Sequence, residues 1–413
     1  MRTLQTSHGA DSPYAWTRLW IALALTTVGG SGMYSMAVVL PPLQAEFAIA
    51  RGDASLPFTF TMIGFGLGGV LMGRLSDRFG VIVPVLIGSV SLGLGFIAAS
   101  FSQNLLQFTA IHGLLIGIGT SGTFVPLVAD ITLWFTRRRG IAVAIAMSGN
   151  YLAGTVWPPL MQHFIDTSGW RATYMGTGLI CLFAMPLFAL ALRRKPPAIA
   201  GLAPAGAAAR GASSNPEQPL GFSPGQLQGL LCVSGIACCV AMSMPQVHMV
   251  AYCADLGFPA ARGAEMLSLM MAFGIVSRLA SGWIADHIGG LGTLLLGAVL
   301  QASALALFLP FDGLAALYVV SALFGLFQGG IVPSYPLIVR EYFSPREAGT
   351  RTGTVLMATL VGMALGGWMP GWVFDMTGSY RAAFVNGIAW SLVTTGIALF
   401  LIYRSRRWIP RAA

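Results

Sequence analysis

Charge is what this sequence has least of. Only 9% of its 413 residues are Asp, Glu, Lys or Arg, against about 25% in a soluble domain. That is too little charge to cover the surface of a water-soluble protein of this length. Lysine occurs once, at Lys195. The five cysteines show neither metal-ligand spacing nor a disulfide framework. Cys181, Cys232, Cys238 and Cys239 fall in apolar runs, and Cys253 is expected in a loop between them. No paired carboxylates, nucleophile–base set or nucleotide loop is visible, which argues against an enzyme and calls for no cofactor. No basic stretch interleaves with aromatics, so the formal charge of +9 does not signal nucleic acid.

What the chain has instead is apolar length. Hydrophobic residues make up 55%, and glycine, with 52 copies, suits close helix packing in lipid. Stretches of about 20 apolar residues mark membrane spans. Twelve are expected, near 18–40, 54–73, 81–102, 105–132, 140–163, 171–192, 225–250, 263–285, 290–310, 313–339, 350–374 and 381–403. The first is too long for a signal peptide and lacks a clear cleavage site. Segment 193–222 opens with Arg193-Arg194-Lys195-Pro196-Pro197 and continues Ala/Gly/Pro/Ser-rich, the composition of a flexible linker. The expected organisation is an N-terminal six-helix bundle (1–192), a cytoplasmic linker (193–222) and a C-terminal six-helix bundle (223–413).

The basic residues set an orientation. With both termini inside, eighteen of the 23 Lys and Arg fall in inside segments and four (Arg51, Arg171, Arg262 and Arg381) in outside loops. The acids divide seven and seven. One basic residue, Arg278, belongs to neither side. The expected setting is the cell membrane, inner or plasma, with both termini cytoplasmic.

The halves repeat. Gly73-Arg-Leu-Ser-Asp77-Arg78-Phe-Gly80 returns as Gly282-Trp-Ile-Ala-Asp286-His-Ile-Gly289, and Phe164 to Ala172 returns as Phe374 to Ala382. Two six-helix halves joined by a linker form a secondary-transporter architecture, with substrate expected near the bilayer midplane. The Gly73, Asp77, Arg78 and Gly80 pattern resembles the signature loop of the major facilitator superfamily, although Val81 and Ile82 stand where basic residues often follow. The resemblance implies an all-α membrane protein of twelve transmembrane helices in two pseudo-symmetric bundles. Within the superfamily, His248, Tyr252, Asp255-Leu-Gly257, Arg278, Gly282 and Asp286 resemble the bacterial branch of monocarboxylate-transporter-like and oxalate/formate-antiporter-like proteins.

Arg278 carries the functional reading. It stands eight residues before Asp286, or about 12 Å along a helix, near the middle of a hydrocarbon layer of about 30 Å. A guanidinium stays protonated and its fork fits a carboxylate. The alternative is a packing ion pair, but no acid is expected at that depth. The resemblance implies that a matching arginine binds the substrate carboxylate, with an aspartate four residues earlier where this chain has Gly274. Relatives of that branch also use a lysine in their first or eleventh helix, and neither span here contains one. One buried cation favours a singly charged substrate, since a second carboxylate would lack a fixed counter-charge.

Asn150, Gln328 and Tyr34 are candidate substrate donors or interhelical glue, and His248 a candidate for the substrate site at its outer gate. His112 is a candidate for proton coupling or a satisfied core histidine. Gly73, Asp77, Arg78, Asp130 and Asp286 are expected to form a conformational latch in which Arg78 meets Asp130. Gly69-xxx-Gly73 and Gly362-xxx-Gly366 read as close helix contacts, and Pro158-Pro159 and Pro333 as kinks. The expected function is alternating-access transport of a small organic anion, most simply a monocarboxylate, by proton symport or anion exchange. The partners are that anion, protons and the lipid bilayer, with no nucleic acid, and the protein is expected to be monomeric. The competing readings are an exporter of amphipathic drugs or other small metabolites, which a lone midplane arginine disfavours, and a non-transporting membrane sensor on the same fold.

Overall fold

The computed structural model describes residues 11–194, 219–344 and 347–408; most of the expected linker, Lys195 included, lies outside them. Ten described helices are long and apolar enough to cross a membrane: α1 (Pro13–Phe47), α2 (Arg51–Phe79), α3 (Ile82–Ser100), α4 (Leu105–Trp134), α5 (Gly140–Leu190), α6 (Pro224–Asp255), α7 (Ala260–Leu307), α8 (Leu314–Tyr342), α9 (Ala348–Thr377) and α10 (Tyr380–Ser405). Most overrun the apolar windows of the sequence, because a helix continues past the hydrocarbon wherever its backbone remains unbroken. That overrun corrects the placement of Cys253, which sits buried in α6 with its thiol 3.4 Å from Met266 Sδ.

α5 and α7 are 51 and 48 residues long, more than twice the length a bilayer requires. Each contains one glycine in non-helical conformation, Gly169 (φ 82°, ψ 160°) and Gly289 (φ 73°, ψ 172°). Gly80 between α2 and α3 has φ 79°, matching Gly289 in the first sequence repeat, and Gly378 between α9 and α10 has φ 66°. These backbones enter a region that side chains disfavour, so the repeated glycines mark four sharp changes of helix direction.

Three further helices are interrupted. α1 pauses at Gly30, α4 at Thr123 and Phe124, and α8 at Gly329 and Gly330. In α4 and α8 a proline follows shortly after, Pro126 and Pro333. Neither can donate the bond that the carbonyl four residues earlier would accept, so the ladder opens at Gly122 and Gly329. The two interruptions occupy corresponding places in the two sequence repeats.

The described residues group into two compact units. One holds the described part of Met1–Ala200 with Val247–Ala272, the other the described part of Gly201–Gln246 with Phe273–Ala413. In the first unit α3 and α5 touch through glycine: a Cβ on Gly93 would lie 2.9 Å from Gly178 O. In the second, Gly362 and Gly366 place α9 directly on the α6 backbone at Ile236 and Val240, as the small-residue spacing predicts. Its buried core includes Leu231, Leu294, Ile338, Val355 and Leu401, drawn from α6 to α10.

Candidate transport site

The second unit brings Arg278, Gln328 and Gln246 to one neighbourhood. Arg278 is half-buried in the first segment of α7, eleven residues before the break at Gly289, which is roughly 16 Å of helix. Its backbone carbonyl accepts from the Ser281 hydroxyl at 2.9 Å. Gln328 closes the first segment of α8, and the Gly329 after it packs on the α7 turn just before Arg278: a Cβ there would lie 2.6 Å from Gly274 O and 2.8 Å from Ser277 Cβ. Residue 274, where this chain departs from the branch pattern, thus contributes its backbone carbonyl to the α7–α8 contact. Gln246 of α6 donates its Nε2 to Gln328 Oε1 at 3.2 Å. Both amides are buried, 7% and 1% exposed, and Gln328 Nε2 has no hydrogen-bond partner. Leaving such a donor unmade costs about 1–3 kcal/mol. Sequence reasoning missed Gln246, although a glutamine inside an apolar span was the available signal.

Tyr34 and Asn150 lie on adjoining turns where α1 packs on α5 in the first unit. Asn150 Nδ2 donates to Met33 Sδ at 3.4 Å and lies beside the Gly30 interruption of α1. One turn on, Gly154 leaves room for the buried Tyr34 ring, whose edge would stand 2.7 Å from a Cβ at that position. His248 is buried in the α6 segment of this unit.

His112 lies apart from these groups. It opens a π-helical turn of α4 (His112–Gly117) and is fully buried against Phe108 and Tyr174. Thr61 spends its hydroxyl proton on Pro57 O at 2.7 Å. His112 Nδ1–H therefore donates to Thr61 Oγ1 at 3.1 Å, and Nε2 accepts from the Tyr174 hydroxyl at 3.3 Å. A neutral ring satisfies every partner, so this geometry suits the core-histidine alternative.

Of the latch residues, Gly73, Asp77, Arg78 and Asp130 belong to the first unit and Asp286 to the second. Asp77 and Asp286 are exposed near the ends of their helix segments, and Gly73 is half-buried in α2. Arg78 is exposed over the Phe79 ring, 5.2 Å from its centroid. Its expected contact with Asp130 does not form, because Arg18 occupies both carboxylate oxygens at 2.6 and 3.0 Å. Arg18 is 1% exposed and Asp130 7%. Arg18 also donates to Leu192 O and Arg194 O and sits over Trp134, tying α1 and α4 to the residues just after α5. Sequence reasoning counted Arg18 as an orienting charge; its partner, 112 positions away, gave no signal. Nearby, Asp11 accepts from the Thr136 hydroxyl and from the Thr136 and Arg137 backbone N–H groups. Burial alone would raise its pKa, but these hydrogen bonds outweigh it and hold the carboxyl below its ordinary value.

At other helix ends Arg51 forms a forked pair with Asp255, within the first unit. Arg171 donates to Ser100 O and Ser102 O past the end of α3, and Arg381 to Leu309 O past the end of α7. The repeated arginine thus caps the same kind of helix terminus in both halves of the sequence. Among the described residues no group of three His, Cys, Asp or Glu is placed to hold a metal ion.

Helices broken at glycine and proline near buried polar side chains define a transporter of the secondary type. The family model of the Major Facilitator Superfamily matches residues 19–312 and 293–413, and the chain belongs to that superfamily. It is a transporter family, not an enzyme family. Among curated relatives, monocarboxylate transporter 13 of Rattus norvegicus is 28% identical over 358 residues, covering 84% of this chain and 78% of that protein. Monocarboxylate transporter 11 of Mus musculus is 25% identical over 412 residues, covering 95% and 88%. The Bacillus subtilis MFS-type transporter YcxA, itself uncharacterised, is 26% identical, covering 87% and 90%. A solved bacterial homolog of the human lysosomal transporter Spinster, in an inward-facing and unoccupied conformation, shares the fold with TM-score 0.71 at 14% identity, covering 97% and 98%.

Proposed function

We propose that this protein carries a small monocarboxylate across the cell membrane by alternating access, with Arg278 holding the carboxylate. The observation that carries the reading is a half-buried arginine roughly 16 Å of helix from the nearest break of a membrane-spanning helix, in a chain whose relatives include monocarboxylate transporters. An intramembrane charge is costly and is kept where it serves a partner or a substrate. Tyr34 and Asn150 are the candidate donors in the first unit, and Gln328 in the second.

In this reading α5 and α7 are each two spans divided at Gly169 and Gly289, which makes twelve spans in two six-helix bundles (1–192 and 223–413) joined by the 193–222 linker. Both termini face the cytoplasm. Asp77, Arg78 and Asp286 with Gly73 form the latch, without Asp130, whose carboxylate is taken by Arg18. Transport is by proton symport or anion exchange, in a monomer.

The test is uptake of radiolabelled lactate, pyruvate, formate and oxalate into proteoliposomes. Saturable uptake of a monocarboxylate is expected, lost in Arg278→Ala and weakened in Arg278→Lys, which keeps the charge and loses the fork. Saturable anion uptake that survives Arg278→Ala would overturn the assignment. Acceleration by an inward proton gradient identifies symport; acceleration only by internal anion identifies exchange.

A further inference from the structure

We infer that Gln246 is a positioning residue for the anion, acting by fixing the direction in which Gln328 points its amide donor. The inference rests on the reading of Arg278 as the carboxylate-binding residue. A primary amide presents an acceptor on one side and two donor hydrogens on the other. Turned one way Gln328 would help hold an anion; turned the other way its oxygen would repel it. Gln246 ties that choice to its own orientation. Its Nε2 donates to Gln328 Oε1 at 3.2 Å, so reversing the Gln328 amide alone would set one N–H group against another. The carbonyl is thereby spent, and Nε2 is the group left over, buried and without a protein acceptor.

The placement of that leftover donor supports an anion as its acceptor. Gln328 ends the first segment of α8, and Gly329 and Gly330 bring the following backbone against Gly274, Ser277 and Ser281 on the α7 turns that carry Arg278. Arg278 and Gln328 therefore stand on contacting turns of the second unit. Ser243, one turn before Gln246 on α6, adds a buried hydroxyl as the second donor without a partner. Buried polar groups are nearly always satisfied. Donors left over on two helices beside a fixed cation fit a site completed by an acceptor that arrives with the substrate.

The experiment measures uptake kinetics for the best-carried acid of the four-acid panel, in proteoliposomes of wild type, Gln246→Met, Gln328→Met, the double variant and Arg278→Ala. Reconstituted amount and melting temperature are recorded for each. Gln328→Met is expected to raise KM roughly ten-fold, the loss of one hydrogen bond to a charged ligand, and Gln246→Met to raise it several-fold in the same direction, with Vmax within about two-fold. Gln246→Glu, which can only accept, is expected to turn the Gln328 donor toward itself and raise KM at least as far. The double variant is expected to match Gln328→Met, because Gln246 acts only through its neighbour. An unchanged KM in Gln246→Met, additive effects in the double variant, or a loss confined to Vmax and melting temperature would each overturn the inference while leaving Arg278 in place. Uptake that survives Arg278→Ala, or no carriage of any acid, overturns the underlying reading and the inference with it.

Discussion

Arg18 and Asp130 show how few charges this chain can leave unattended. Each is nearly sealed from solvent, and the guanidinium is consumed by two carboxylate oxygens and two backbone carbonyls. Such a pair adds little net stability once desolvation is counted, yet removing one partner strands the other at a cost of about 3–5 kcal/mol. Arg18→Ala is therefore expected to lower the melting temperature in detergent sharply. The double replacement Arg18→Met with Asp130→Leu is expected to recover most of the loss; a double variant as unstable as the single one would contradict this account. His112 makes the opposite case, a titratable side chain whose neutral form already meets both partners. His112→Gln is expected to reduce thermal stability while leaving the pH profile of uptake in place. A profile flattened by that change would return proton coupling to His112.

At the scale of elements, the chain's instructions lie in its glycines and prolines. The motif glycines Gly80 and Gly289 were legible from sequence because a positive φ leaves few other residues available. The Gly362 and Gly366 contact was legible because small residues four apart share one helix face. Gly366→Val would drive a branched side chain into the α6 backbone at Val240 and is expected to abolish recovery of folded protein, as judged by monodisperse elution in detergent. The N-terminal approach to α1 carries a milder dependence on pH. Because the folded-state pKa of Asp11 is lowered, its stabilising effect is present above the unfolded value near about 4 and is lost as pH falls through the lowered one. The gap in melting temperature between wild type and Asp11→Ala is expected to be widest near neutrality and to close in acid. Other features at this scale were not legible. Arg18 reaches Asp130, and Gln246 reaches Gln328, only because particular helices lie side by side. Composition reported the apolar windows but not the turns beyond them, which is why Cys253 was misplaced.

For the molecule as a whole, the sequence repeat is an instruction given twice. Each copy supplies a glycine turn between neighbouring helices, an arginine that caps a preceding helix, and a proline that opens a later one. Separate expression of residues 1–192 and 223–413 in one cell is expected to restore part of the saturable uptake, if the linker only tethers two self-contained bundles. Complete loss, with both fragments present in the membrane, would show that the linker is required for assembly. Under the proposed function the anion itself is the least legible quantity, since selectivity depends on the shape several helices make together, and one arginine reports only the sign of the charge it would bind.

The proline-opened ladders in α4 and α8 carry one more consequence. The carbonyls of Gly122 and Gly329 face a proline where an amide proton would otherwise bind them, so the neighbouring turns are held by fewer bonds, and in α4 by the shorter-range Thr123 N–H to Thr120 O and Phe124 N–H to Ser121 O. Protection against solvent deuterium depends on the free energy of such local openings. In the resting protein, isotope uptake along the apolar helices should therefore begin at two corresponding points, one in each repeat, and spread outward from them.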